Sequence, residues 1–204
     1  MSEMILPNRA VGKQGAHKNK ENTRVELAAC AAQFFAQQGY HGTSTQAIAA
    51  RCQIRKASLF HHYKTKEDIA LAAIKYVQNE CAQHIFKHAE DARFDSEQRI
   101  SNFLQACEQF FSERVEGLLP TLLGLELREM QIFTQAIEEY FQAWIDSVIR
   151  LLQPLHQNGE VVQQLAEQSV RRIQGHLVVA RIQQNNQLFP ELSAELRELW
   201  LKTA

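Results

Sequence analysis

The sequence predicts an all-α protein: an N-terminal three-helix helix-turn-helix unit followed by a larger helical domain, about nine helices in all. Three observations carry this. Apolar residues recur at i, i+3, i+4 along most of the chain, and no alternating run survives as a strand. Helix formers dominate, with only 4 Pro and 8 Gly among 204 residues. Finally, the stretch GYHGTSTQAIAARCQIRKASLFHHYKT, Gly39 to Thr65, reads as two short helices joined by a tight turn, the second carrying exposed basic and aromatic groups.

Composition narrows the function classes. No apolar run reaches the ~20 residues that span a bilayer, and the N-terminus lacks the ~7–15-residue apolar core of a signal peptide. The expectation is a cytoplasmic protein without membrane contact. Cys30, Cys52, Cys81 and Cys107 form no C-x-x-C pair and read as free thiols. The net charge of −1 conceals an imbalance: the first third is basic and the remainder acidic, so the front is the part suited to a polyanion.

Residues 1–21 are polar and aperiodic, a flexible arm whose Arg9, Lys13, Lys18 and Lys20 either touch phosphates loosely or stay solvated. Residues 22–66 form the helix-turn-helix domain. Its first helix, from Asn22, places Val25, Ala28, Ala29, Ala32, Phe35 and Ala36 on one face, and Gly39 stops it. Thr43 is the expected N-cap of the second helix, with Gln46 completing a capping box. Ile48 and Ala49 point inward and Cys52 ends this helix. The third helix, about Arg55 to His62, has Leu59 inward.

Residues 67–204 form the second domain. Thr65 caps a helix from about Glu67 to His88, with Ile74, Val77, Cys81 and Ile85 inward. After a loop from Asp91 to Asp95, Ser96 is the expected cap of a helix bearing Ile100, Phe103, Cys107 and Phe110. GLLPTLLGLEL, holding Pro120 and Gly124, reads as a short or broken helix. Ile132 to Leu155 is strongly periodic through Ile137, Phe141, Trp144, Val148 and Leu152, and Pro154 with Asn158-Gly159 closes it. Glu160–Gln187 and Glu191–Lys202 complete the set, parted near Phe189-Pro190.

A helix-turn-helix reads duplex DNA because its second helix fits the ~12 Å major groove while the first braces it across the backbone. Arg55, Lys56, Ser58, Phe60 and His62 supply cations and donors on the outward face. Thr43, Ser44 and Thr45 place hydroxyls beside free N–H groups at a helix start, which suits a phosphate.

The run G-Y-H-G-T-S-T-x-x-I-A…I-R-K-A-S-L-F-H-H-Y-K-T-K-E-D-I resembles the N-terminal domain of the tetracycline-repressor (TetR) family over about Asn22 to Ala72. In that family such a domain precedes a variable helical domain that binds a small ligand and dimerises. By this resemblance Lys56, Ala57, Phe60 and His62 sit where the recognition helix meets DNA. Thr43, Thr45, Tyr63 and Lys66 sit where phosphates are held, and Gln46 is an extra base contact. Tyr63 has an equal alternative as packed core. Two departures stand out: Gln53 replaces a turn glycine, so a non-Gly residue would be left-handed, and Arg55 replaces a capping Ser, a loss of about 0.5–2 kcal/mol.

The expected partners are double-stranded DNA, a second copy of the chain, and a small-molecule effector, apolar or aromatic, with no cofactor. Two apolar stripes are the expected dimer interface: Ala166, Ser169, Val170, Ile173, Leu177 and Ala180, with small residues that allow close approach, then Leu192, Leu196 and Leu199. Internal packing is the alternative. The effector pocket falls among Phe103, Cys107, Phe110, Leu122, Phe141 and Trp144. Glu126 and His176 are either polar ligand contacts or solvated. The expected mechanism is release of a palindromic operator when the effector shifts the helix starting near Glu67, repression being the family's usual mode.

Two rivals keep the same fold. Cys81, His84 and His88, at i, i+3, i+7, could present metal ligands on one helix face, and Cys107 could be a redox thiol. A helical interaction protein that binds no DNA is the rival of another class. An enzyme is disfavoured: neighbouring residues such as His61-His62 or Glu138-Glu139 diverge by about 100° on a helix, and no phosphate loop or nucleophile elbow appears.

Overall fold

A computed structural model describes residues 20–112, 127–183, 185 and 188–202. Among these, every regular element is helical: α1 (Lys20–Gly42), α2 (Thr45–Arg51), α3 (Lys56–His62), α4 (Lys66–His84), a 3₁₀ turn (Phe86–Ala89), α5 (Ser96–Ser112), α6 (Leu127–Leu152), α7 (Gly159–Gln183) and α8 (Leu188–Lys202). The all-α reading therefore holds. The expected break around Pro120 and Gly124, and the arm before Lys20, lie outside the described residues.

Apolar periodicity builds two cores. The first gathers Leu27, Ala31 and Phe35 of α1, Ile48 and Ala49 of α2, Leu59 of α3, and Ile69 and Ala73 of α4, closed by Phe133 of α6. The second joins Phe103, Trp144, Leu151, Ile173, Leu196 and Trp200 from the four last helices. Helix α4 serves both: its first turns lie against α1, its last against the second core, and Val77 touches each. A helix packed rigidly into two cores is the route by which one could report on the other.

Local chemistry moves several boundaries. Gly39 leaves the helix with φ 73° and ψ 171°, a region essentially reserved for glycine, and a single turn follows to Gly42. The cap of α2 is Ser44, whose Oγ accepts the Ala47 N–H at 3.0 Å, so Thr43 is not the cap. Likewise Asp95, not Ser96, caps α5, its Oδ1 accepting the Gln98 N–H at 2.8 Å. At α4 the expected box is complete: Thr65 Oγ1 accepts from Asp68 N, and Asp68 Oδ2 accepts from Thr65 N. Asn158 starts α7 rather than closing α6, accepting the Glu160 N–H at 2.9 Å. Pro190 falls in the first turn of α8, where its missing N–H costs nothing.

The dimer stripes need correction. Ala166, Ser169, Val170, Ile173, Leu177, Ala180, Leu192 and Leu196 are buried within one chain, and Leu199 packs against the same core. Trp200 on α8 explains the small residue opposite it: its Nε1–H donates to Ser169 Oγ at 2.8 Å, and Ser169 donates on to Leu165 O at 2.7 Å. The alternative, internal packing, is what the tertiary structure realises. Arg197 strengthens the same seam, reaching Glu97 at 2.8 Å and Ser101 at 2.6 Å on α5.

Candidate nucleic-acid interface

Helices α2 and α3 meet through a turn whose hydrogen bonds define it. After the C-cap Cys52, Gln53 N–H donates to Ala50 O at 3.1 Å and Ile54 N–H to Ala49 O at 3.0 Å. This paired pattern is the Schellman motif, which requires a left-handed residue after the cap. Gln53 takes that conformation at φ 55°, as its place at the family's turn glycine implied, although it is not a glycine. Ile54 then packs on the first core beside Cys52.

Arg55 stands at the N-cap of α3 without a side-chain cap hydrogen bond. The departure therefore removes a cap and leaves the guanidinium exposed. With Leu59 anchored inside, α3 turns Arg55, Lys56, Ala57, Ser58, Phe60 and His61 to solvent, and His62 is half-buried. Lys56 Nζ lies 5.7 Å from the Phe60 ring centre, pairing a cation with an aromatic face. On α2, Ser44 and Gln46 are exposed and Thr45 half-buried.

Two residues assigned to phosphates by resemblance, Thr43 and Tyr63, are buried, and a third, Lys66, is half-buried. Thr43 is buried; its hydroxyl donates to Gly39 O at 2.7 Å and Phe34 O at 3.1 Å, closing the α1 turn. Tyr63 is buried, with its hydroxyl donating to Arg24 O at 2.8 Å and the Arg24 guanidinium over its ring; burial pushes the phenol above its ordinary range. This is the packed-core alternative. Lys66 is half-buried with its ammonium 4.2 Å from the Tyr40 ring centre. Tyr40 in turn donates to Glu67 at 3.0 Å.

In the second core, Phe103, Cys107, Phe110 and Trp144 are brought together, Phe141 is half-buried at its margin, and His176 stacks edge-on against Phe189. Leu122 and Glu126 lie outside the described residues. The sequence reading missed Phe86, Phe111 and Tyr140, which pack around Trp144 with ring centres 4.9, 6.0 and 6.4 Å away. Tyr140 stands three residues after Ile137 and four before Trp144, on the same face of α6, so the periodicity already carried the signal for it. Trp144, Gln174 and Cys81 surround its hydroxyl as polar neighbours.

Neither rival sensing site assembles. Helix α4 ends at His84, so His88 belongs to the 3₁₀ turn; Cys81 points into the core while His84 is exposed. Among the described residues no group of His, Cys, Asp and Glu could hold a metal. Cys107 is buried and its thiol pushed well up by burial and by Cys81, which makes it a poor nucleophile. Among the described residues, no helix is long and apolar enough to cross a membrane.

Residues 27–73 match the family described as bacterial regulatory proteins, tetR family. The chain is similar to the HTH-type transcriptional regulator UidR of Escherichia coli K12, 22% identical over 139 residues, covering 68% of this chain and 69% of that protein. Its fold is similar to a TetR transcriptional regulator from Legionella pneumophila, with TM-score 0.73 at 19% identity, covering 92% and 99% of the two chains. It is also similar to the transcriptional regulator FadR of Bacillus subtilis in complex with stearoyl-CoA, with TM-score 0.64 at 13% identity, covering 88% and 98%.

Proposed function

Because residues 27–73 make this chain a tetR-family transcriptional regulator, we propose that it is a repressor that binds a palindromic operator as a homodimer and leaves it when a small effector occupies the second core. The observation that carries the reading is the α2–α3 unit, with its left-handed turn and its outward face of Ser44, Gln46, Arg55, Lys56, Ala57 and Phe60, with half-buried His62 at its edge. Arg55 and Lys56 contact phosphate or guanine, and Gln46 and His62 approach base edges. Ser44 and Thr45 remain the hydroxyls near phosphate, with Lys66 an auxiliary cation.

A lone recognition helix discriminates poorly among genomic sites, whereas a two-fold pair spans successive major grooves ~34–36 Å apart. The surface proposed for pairing is the outer face of α7, where exposed Gly175 is followed by Val179 and by Ile182, 76% exposed. Unpartnered apolar side chains in register on one helix favour a protein contact. Ile182→Asp should convert the dimer to monomer in sedimentation velocity; an unchanged dimer would remove this face from the reading.

For the effector, the aromatic cluster around Trp144 supplies apolar contact, and Tyr140, Trp144 and Gln174 place a small polar group within it, which favours a largely apolar molecule with one polar group. The neighbour FadR holds stearoyl-CoA, an apolar chain with a carbonyl, which fits this pattern. Occupation is transmitted through α4; a coupling of ~1–3 kcal/mol changes operator affinity about 5–150-fold. Selection of bound duplexes from a random pool tests the whole reading. Enrichment of a palindrome supports it, and failure to enrich any sequence overturns it.

A further inference from the structure

One large apolar side chain stands on the surface of the DNA-reading unit, and the function proposed above assigns it no partner. Phe60 is 37% exposed. Among the described residues, the other exposed large apolar side chains lie on α1, in the loop before α5, on α6 and on α7. Leu59 holds α3 to the first core, whereas the Phe60 ring joins neither core. On the same face, Ala57 three residues back is exposed, and Lys56 four residues back sets its ammonium 5.7 Å from the ring centre. The outward face of α3 thus carries a short apolar strip with a cation along it.

We propose that Phe60 reads the 5-methyl group of a thymine, one in each operator half-site. The inference rests on the operator-binding reading and deepens it. In an intact duplex the bases offer a major-groove helix only their edges, and those edges are donors and acceptors except for the thymine methyl. A phenyl ring can neither donate nor accept a conventional hydrogen bond. Set against guanine O6 and N7 or the cytosine amino group, it would strip water from a polar edge and return nothing. Against the methyl, it takes apolar surface of both partners out of water. Stacking on a base face would require that base to leave the helix stack.

Lys56 sharpens the choice, because it keeps a cation close to that contact. On a thymine edge the O4 acceptor adjoins the methyl, while cytosine lacks the methyl and presents its amino donor instead. The pair of side chains therefore disfavours cytosine twice: an apolar contact is lost, and a donor is turned toward an ammonium.

The test uses the full-length protein and the operator duplex that selection from a random pool enriches. Each thymine of a half-site is replaced in turn by uracil, with the matching change in the other half-site. Uracil deletes the methyl and leaves every hydrogen-bonding group in place. Affinity is read by fluorescence anisotropy at one fixed salt concentration. At one thymine per half-site, uracil should weaken binding about 4-fold for each methyl lost, and about 15-fold for the symmetric pair. A cytosine–guanine pair there should cost about 5–150-fold per half-site.

Phe60→Ala and Phe60→Gln should each bind the thymine operator more weakly and treat thymine and uracil alike. The ring is exposed, so both variants should unfold close to the wild-type Tm. Arg55→Ala should lower affinity and keep the uracil penalty. Wild-type protein indifferent to uracil at every thymine, a penalty that survives both Phe60 variants, or a selected half-site without thymine overturns the proposal. Protein that enriches no duplex overturns the operator reading itself, a result distinct from duplex binding that ignores the methyl.

Discussion

Thr43→Val separates two roles that one residue could play. As a phosphate contact, Thr43 would lose one ionic-strength-dependent interaction and leave stability untouched. In the structure its hydroxyl instead donates to Gly39 O at 2.7 Å and Phe34 O at 3.1 Å, with the side chain buried. Valine keeps the shape and removes the donor. The lost hydrogen bond is worth about 0.5–1.5 kcal/mol, and leaving an acceptor buried and unmet costs about 1–3 kcal/mol. The added methyl recovers part of this, so the expected loss is about 1–2 kcal/mol, a fall in Tm of roughly 2–8 °C for a chain of this size. The assay pairs thermal unfolding with operator titration across salt, below both transitions. Affinity should stay within about twofold, and the slope of log K against log salt should not change. Lys56→Ala is the control, expected to reduce that slope by about 0.9 with little change in Tm. An unchanged Tm for Thr43→Val, with a slope reduced like that of Lys56→Ala, would refute the buried-anchor reasoning.

Three further outcomes are expected. Gly39→Ala should cost about 1–3 kcal/mol in urea unfolding; nothing lies within 4 Å of an added Cβ, so the penalty is torsional and no neighbouring truncation should rescue it. Gln53→Gly should stabilise the fold by about 0.5–1 kcal/mol, the relief of left-handed strain less the entropy glycine gains on unfolding, while Gln53→Ala should not; equal midpoints for the two variants would contradict a left-handed Gln53. The Glu67 carboxyl is held below its ordinary range, first by its own backbone N–H and then by the Tyr40 hydroxyl. Its contribution to stability is therefore present above the unfolded-state value and lost as pH falls through the lowered one; Tyr40→Phe should flatten that acid-side loss in unfolding midpoints measured against pH.

Much of the reading unit was legible because its signals are local. A glycine stop, a hydroxyl before a helix, one inward leucine on a short helix and a non-glycine in the turn all follow from residues a few positions apart. What failed there failed by short range too. Thr43 and Ser44 compete for the same cap, and choosing between them depends on Thr43 meeting the carbonyls of Phe34 and Gly39 across the bend. Tyr63 is settled by Arg24, 39 residues away. In the second domain, periodicity found the inward faces of α5 to α8 but could not say what each face meets. Small residues on α7 suit a second copy and an indole equally well, and Trp200 is the indole that Ser169 meets.

The sequence by itself determined the helical class, the basic front that suits a polyanion, and the place and turn chemistry of the DNA-reading unit, since periodicity, capping and left-handed turns are properties of neighbouring residues. Only the tertiary structure decided which apolar stripes are spent inside the chain, that α4 ends at His84 and so parts His88 from Cys81, and that Tyr63 is anchored on Arg24. Each of these depends on residues that meet only when helices pack, and packing is not encoded at any fixed spacing.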